Sequence, residues 1–258
     1  MLTAPPADTV FQHMRDEEPP GDLVTVAVSL CNYAQFLPEC LDSVLAQRHA
    51  AIELVVVDDV STADDSLAVA SAWLQEHAQR FSRVLLLRHR RNQGLARARN
   101  TAFAHARASH VFVMDADNTI YPRAIGRLRQ AIETSRAAAA YTQMELFGTK
   151  SAVGLADIWR PKWLRHGNYI DAMALVAKSA WARVGGYVHI QFGWEDYDFW
   201  CRCVENGLWG LHVPETLAEY RFHQGSMLRT TTDTPHNKLK IIRQLEDRHP
   251  WLTLSFRV

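Results

Sequence analysis

The chain has 258 residues, 48% hydrophobic and 22% charged, with a formal net charge of +0, which is enough apolar material for one buried core and too balanced to argue for nucleic acid as a partner. No apolar run approaches the roughly 20 residues needed to cross a bilayer, so a transmembrane segment is not expected. The four cysteines, Cys31, Cys40, Cys201 and Cys203, match no zinc spacing and read as free thiols of a cytoplasmic protein, at most peripheral on the inner face of a membrane.

Residues 1–22 hold four prolines and several acids without an apolar signal core, and they predict a flexible leader ahead of a single domain over 23–258. Val24 to Leu30 then reads as a first strand. Leu37, Leu41, Val44 and Leu45 recur at helical spacing. Ile52 to Val57 is a second buried strand and ends on Asp58 and Asp59. Ser61-Thr-Ala-Asp64 has the form of a capping box and predicts the next helix start. Val84 to Leu87 is a third strand. The basic stretch Arg88-His-Arg-Arg91 follows, with Arg97 and Arg99 beyond it, and suits either a solvated helix face or local phosphate binding. Gly94 to Ala108 is alanine-rich and helical. Strand and helix alternating in this way build βαβ units and a parallel sheet.

His110 to Met114 is a further buried strand, and it stops on Asp115 and Asp117. Side chains alternate along an extended chain, so acids at i and i+2 point to one side. Paired carboxylates at the end of a buried strand cost solvation energy unless a cation sits there, and oxygen donors suit Mg²⁺ or Mn²⁺. The carboxyl end of a parallel strand is also where α/β sheets bind ligands. Taken alone, two aspartates after a strand read more simply as a polar turn; the surrounding motifs raise the weight of the metal reading.

The second half is less regular. Pro122 opens a helix that runs to about Ser135. Tyr141 to Leu146 is a strand, and Phe147 to Asn168 reads as a mobile lid with Arg160, Lys162 and Arg165 available to a diphosphate. Met173 to Ala177 is a strand. Ser179 to Gly186 is a short helix closed by glycines. Glu195 to Glu205 is a helix whose first turn is acidic, with Asp198 on its surface. Trp209 to Val213 and Leu217 to Phe222 are late strands, and Asn237 to Arg248 is a terminal helix. Trp159, Trp163, Trp194, Tyr197 and Trp200 could form a platform for a sugar or simply fill the core.

Six stretches in this order carry a resemblance: Val26-Ala-Val-Ser29-Leu-Cys-Asn32, Leu37 with Leu41-Asp-Ser-Val-Leu45, Val55-Val-Val-Asp58-Asp59-Val-Ser61-Thr62, Asn92-Gln-Gly94-Leu-Ala-Arg97-Ala-Arg99-Asn100, Asp115-Ala116-Asp117 and Gly193-Trp-Glu195-Asp196. The chain resembles the family 2 glycosyltransferases over roughly residues 24–226. The resemblance implies a GT-A type α/β fold: a mostly parallel, Rossmann-like sheet flanked by helices, a nucleotide-binding half over about 23–118, and a smaller mixed acceptor half over about 119–258. It implies inverting transfer of a sugar from a nucleotide-sugar donor, in its UDP form, to a glycan, lipid-linked or other hydroxyl acceptor. The donor contacts it implies are Ser29, Cys31, Asn32, Asp58, Asp59, Gly94, Arg97, Asp115, Ala116 and Asp117, with Asp58 on the base, Asp59 at the turn, and Gly94 where backbone must come close. It implies a divalent metal, Mn²⁺ or Mg²⁺, on Asp117 and Asp115, with His223 as a third ligand, and Asp196 as general base with Glu195 as the alternative.

Two positions depart from the family pattern. Cys31-Asn32 stands where many members carry Tyr-Asn, and Val60 replaces the glycine usual after the paired acids. Other classes fit less well. A nucleotidyltransferase would show a glycine-rich basic loop after the first strand, and a dehydrogenase a G-x-G-x-x-G; Ser29-Leu-Cys-Asn-Tyr33 is neither. A nucleotide-sugar-binding protein without turnover would not need both acidic motifs.

Overall fold

The computed structural model describes residues 5–16 and 21–254. Its strands are β1 (Ala7–Met14), β2 (Val24–Leu30), β3 (Ile52–Asp58), β4 (Arg83–His89), β5 (His110–Asp115), β6 (Thr119–Ile120), β7 (Ala139–Gly148), β8 (Ala152–Val153), β9 (Ala174–Ala177) and β10 (Gly210–Phe222). Its helices are α1 (Leu37–Leu45), α2 (Ser66–His77), α3 (Leu95–His105), α4 (Ala124–Ser135), α5 (Pro161–Leu164), α6 (Lys178–Arg183), α7 (Glu195–Glu205) and α8 (Pro235–Arg248). Among the described residues the strands form one sheet in the order β1-β4-β3-β2-β5-β9-β7-β10-β6, with β8 hydrogen-bonded to β7.

The strands β4, β3, β2 and β5 run parallel. Their continuous apolar runs follow from burial on both faces. Val24, Val26 and Val28 of β2 pack with α1, α2 and α4, whereas Ala27 of the same strand packs with α3 and α7 on the other side. Each such fully buried valine contributes roughly 1.5–3 kcal/mol. The second half continues the same sheet in mixed directions: β9 is antiparallel to β5 and β7, and β10 is parallel to β7.

Four local expectations are corrected. Residues 7–14, assigned to a flexible leader, form β1, antiparallel to β4 from Ala7↔His89 to Met14↔Arg83. Flanking prolines mask a strand that finds its hydrogen bonds on the edge of the sheet. The capping box does not form: α2 begins at Ser66, Asp64 accepts from the Ser66 and Ala34 N–H groups, and Ser61 Oγ accepts from the Asn32 N–H. The lid is partly regular, because β7 runs on to Gly148 and β8 and α5 follow. The two late strands are one strand, β10, with register shifts between Val213, Thr216 and Ala218. No helix among the described residues is long and apolar enough to cross a membrane.

Candidate active site

A cavity of about 1070 Å³ opens at the carboxyl ends of β2 and β5. Its walls come from the loop after β2, the start of α3, the Asp115–Asp117 turn, residues 167–172, the start of α7 and the segment from His223 to Thr232.

Ser29, Cys31, Asn32, Asp59, Asn92 and Gly94 line one end. The Gln93 and Gly94 N–H groups donate to Asp59 at 2.8 and 2.7 Å, and His89 Nδ1 meets the same carboxylate at 2.6 Å. Asp59 thereby fixes the loop into α3, where Gly94 adopts φ +84°. Asp58, expected on the base, is absent from the cavity wall. It is fully buried, 3.3 Å from Arg88 Nε, and accepts from the Ser61 N–H at 3.1 Å. Consecutive residues at a strand end diverge, so only one of the pair can face the cavity. Asn32 lines the wall but is largely engaged in the loop: it sits at φ +58°, and its Oδ1 accepts from the Thr62 and Ala63 N–H groups, both at 2.9 Å. Burial and then the charges of Asp59, Asp58 and Asp64 push the half-buried Cys31 thiol up, which keeps it protonated. Val60 adopts φ +64°, a conformation that costs a β-branched residue roughly 1–2 kcal/mol and explains why glycine is usual there.

The basic candidate also changes. Arg97 is exposed and off the cavity, whereas Arg99 is buried on its wall. Two residues along a helix differ by roughly 200° in direction, so α3 can aim only one inward. Arg99 Nη2 donates to both oxygens of Asp115, at 3.0 and 3.2 Å. Arg160, Lys162 and Arg165 are exposed and also lie off the cavity wall.

Asp115, Ala116 and Asp117 all line the cavity. With Asp115 matched to Arg99, Asp117 is left with His223, whose Nε2 lies 3.1 Å from Asp117 Oδ2. Burial and the neighbouring Asp115 push the Asp117 carboxyl up to about 6, against the His223 hydrogen bond. The described residues hold no cluster of three or more His, Cys, Asp or Glu side chains suited to a metal. Two protein donors beside a cavity that admits a ligand nevertheless fit the habit of Mg²⁺ and Mn²⁺, which take one or two protein ligands and complete their shell with substrate phosphates. One carboxylate and one imidazole, 3.1 Å apart and both on the cavity wall, are the observation that supports this fit.

The facing wall is acidic. Phe192, Gly193 and Trp194 all have positive φ, at 78°, 119° and 70°, and deliver the chain into α7. Glu195, 4% exposed, is pushed up to about 7 by burial against the pull of Arg99. Asp196 is also raised by burial, with Arg99 again opposing, and its Oδ2 accepts from Asn168 Nδ2 at 2.8 Å. Asp171 joins them, pushed up to about 7 by burial and by Asp196, with one oxygen accepting from the Met173 N–H. Sequence reasoning missed Asp171, since a single acid before an apolar strand is a weak signal. It also misplaced Asp198, which is fully buried rather than on the helix surface. Asp198 receives Arg202, Arg248 and His249 at 2.6, 2.7 and 3.1 Å. The same roughly 200° step that separates Arg97 from Arg99 turns Asp198 to the core if Asp196 faces the cavity.

Of the aromatic candidates, Trp194 lines the cavity. Tyr197 and Trp200 are buried in the core, Trp159 packs edge-on against Trp200, and Trp163 is exposed. The cavity roof includes a π turn (Leu228–Thr232) that the sequence pattern did not suggest, and Thr232 Oγ1 donates to the Phe192 carbonyl at 2.7 Å.

Known proteins resemble this chain in both sequence and fold. The O-antigen biosynthesis protein RfbC of Myxococcus xanthus is 32% identical over 195 residues, 74% of this chain and 15% of its own length. Among solved structures, S. aureus TarS 1–349 in complex with UDP-GlcNAc superposes with a TM-score of 0.72 at 15% identity, covering 87% of this chain and 66% of that one. The mannosyltransferase PcManGT of Pyrobaculum calidifontis, in complex with GDP-Man and Mn²⁺, gives 0.63 at 20% identity, covering 92% and 74%. These likenesses show the fold, an α/β architecture of the GT-A type. The sequence profile of Glycosyl transferase family 2 matches residues 25–187, more than half of the chain, and stops short of Glu195, Asp196 and His223. The chain therefore belongs to glycosyl transferase family 2.

Proposed function

We propose that the protein is an inverting glycosyltransferase that moves a sugar from a nucleotide-diphosphate sugar, in its UDP form, to an acceptor hydroxyl. One observation carries the reading: Asp117 with His223 and Glu195 with Asp196 line one cavity. The nucleotide belongs at the Ser29, Asp59 and Gly94 end, in the half over about 23–118, and the acceptor in the half over 119–258. The TarS complex with UDP-GlcNAc supports the UDP assignment, and the PcManGT complex with GDP-Man makes GDP its competitor. RfbC, by its name, supports a glycan as the acceptor class.

The proposed chemistry is a single displacement. Asp196 takes the acceptor proton, a role worth roughly 10²–10⁴-fold in rate. The hydroxyl oxygen bonds to the anomeric carbon from the face opposite the diphosphate, and the bond to the phosphate oxygen breaks with its electron pair. Asn168 holds the Asp196 carboxyl in one orientation. Arg99 favours the ionised form of both Glu195 and Asp196. A Mn²⁺ or Mg²⁺ held by Asp117 and His223 together with the diphosphate would neutralise charge on the leaving group.

Thermal denaturation with nucleoside diphosphates and Mn²⁺ tests the reading. A ligand that binds only the folded state raises the melting temperature. UDP with Mn²⁺ should stabilise more than either alone and more than GDP or ADP. Stabilisation by no nucleoside diphosphate would overturn the proposal.

A further inference from the structure

Among the described residues, the two most exposed large apolar side chains, Leu155 and Val153, lie close together in the chain, and Leu155 is on the cavity lining. Val153, Leu155, Ile158 and Trp163 are 66, 82, 46 and 41% exposed and fall within one short stretch of chain. Leu155 also lines the cavity, with Gly154 and Ala156, so the patch and the mouth are continuous. The stretch from 149 to 166 carries Lys150, Arg160, Lys162 and Arg165 against the single acid Asp157, a balance of 4 − 1 = +3 in a chain whose net charge is +0.

The patch has a built base. The Arg160 N–H donates to Tyr169 Oη at 2.8 Å, Tyr169 Oη reaches the Ile158 carbonyl at 3.1 Å, and Trp163 stands edge-on to the Tyr169 ring. Leu164 is buried, and its carbonyl accepts from the Tyr197 hydroxyl, which ties α5 to the helix bearing Glu195 and Asp196. The cations stay near the surface: Arg160 lies over the Trp163 ring at 4.3 Å, and Arg165 Nε donates to Thr253 Oγ1 at 3.3 Å.

We propose that this face docks on an anionic membrane surface, and that the acceptor hydroxyl reaches the cavity from a lipid-linked molecule held in that membrane. Exposed Trp, Leu and Ile side chains interleaved with Lys and Arg have the chemistry of an interfacial anchor: the apolar groups enter the headgroup boundary and the cations meet lipid phosphates. A second copy of the chain is the poorer occupant, because a self-complementary contact would set one net positive patch against another. Docking itself stands on the surface alone. The lipid-linked acceptor rests on the glycosyltransferase reading.

Vesicle co-sedimentation tests the docking. The full chain should bind vesicles of phosphatidylcholine mixed with phosphatidylglycerol at least about tenfold more tightly than phosphatidylcholine alone, and added salt should weaken that binding. Ile158→Ser with Trp163→Ser, and separately Arg160→Glu with Lys162→Glu, should each weaken it about tenfold while the melting temperature and its rise with UDP and Mn²⁺ stay unchanged. Equal binding of both vesicle types, or full retention in both double variants, would overturn the proposal. So would a dimer in solution that the Ile158/Trp163 variant dissociates without any change in vesicle binding. Vesicle binding without UDP stabilisation would sink the donor reading and leave the docking standing.

Discussion

Asn168 donates its side-chain amide to Asp196 Oδ2 at 2.8 Å, so the acid assigned as base is held by a residue of the adjoining 167–172 segment, 28 positions earlier in the chain. Asp196→Asn keeps the size of the side chain but cannot accept a proton. Turnover should fall by roughly 10²-fold or more while UDP affinity holds. Steady-state rates and isothermal titration read the two quantities separately, and near-normal turnover would move the role to Glu195.

The same contact has a pH signature. Burial already raises the Asp196 carboxyl, and the Asn168 hydrogen bond works against that rise by favouring the ionised form. Removing it with Asn168→Ala should raise the carboxyl further. The acidic limb of the kcat profile should then move to higher pH, because the base stays protonated over a wider range. A profile unchanged in position would show that Asn168 does not act on the base.

Asp117→Ala should abolish the extra stabilisation that Mn²⁺ gives with UDP and leave the fold intact. The folded Asp117 carboxyl, at about 6, lies above the ordinary value of about 3.9, so between those values the folded state holds more protons than the unfolded state. Stability from this group therefore falls as pH rises across that window, and at neutral pH its ionised form weighs against folding. Calorimetry without ligand should find the variant no less stable at neutral pH. Metal-enhanced nucleotide binding equal to that of the parent would remove Asp117 from the metal.

Asp58 and Asp59 should separate cleanly. Asp58→Asn weakens a buried contact with Arg88 and should cost about 1–3 kcal/mol of stability with nucleotide affinity unchanged. Asp59→Asn disturbs the acceptor for the Gln93 and Gly94 N–H groups on the cavity wall, and UDP binding should weaken. Urea midpoints and titration calorimetry together decide it; the reverse pattern would restore Asp58 to the base site.

Asp198→Asn should cost about 3–5 kcal/mol, since it leaves Arg202, Arg248 and His249 without their shared carboxylate. Burial alone would raise Asp198, but hydrogen bonds from His249, Arg248 and Arg202, with the Arg202 charge, hold it below the ordinary range. Its contribution is present above the unfolded value and is lost only as pH falls through the lower folded one. His249 is raised by the same pairing despite burial, so its share is lost as pH rises through its folded value. Denaturation midpoints against pH should show the variant's deficit greatest between the folded values of Asp198 and His249 and narrowing beyond either, where the parent loses the same protection.

The sequence made the parallel strands legible, because Val24–Leu30, Ile52–Asp58 and His110–Asp115 are apolar runs whose register needs little beyond burial. It also brought Asp117, His223, Glu195 and Asp196 to one cavity, through motifs that mark strand and helix ends. What it could not supply was direction. Arg97 against Arg99 and Asp58 against Asp59 are each a choice between neighbours one or two residues apart, decided by long-range partners such as Asp115 or Arg88, and the burial of Asp198 is likewise decided by partners such as His249. Asp171 and β1 were missed for the same reason: a lone acid and a short polar strand acquire meaning only from what they meet.

The left-handed run at Phe192, Gly193 and Trp194 limits how this site can diversify. A Cβ at Gly193 would lie 2.8 Å from Thr232 Oγ1, while Thr232 is itself bonded to the Phe192 carbonyl. Roof and acid helix thus share one hinge with no slack. Enlarging the roof for a bulkier acceptor through this turn would displace the carboxylates of α7 in the same movement. New acceptor preferences can arise at lower cost on the 154–156 rim, which lines the cavity without bearing on that hinge or on Asp196.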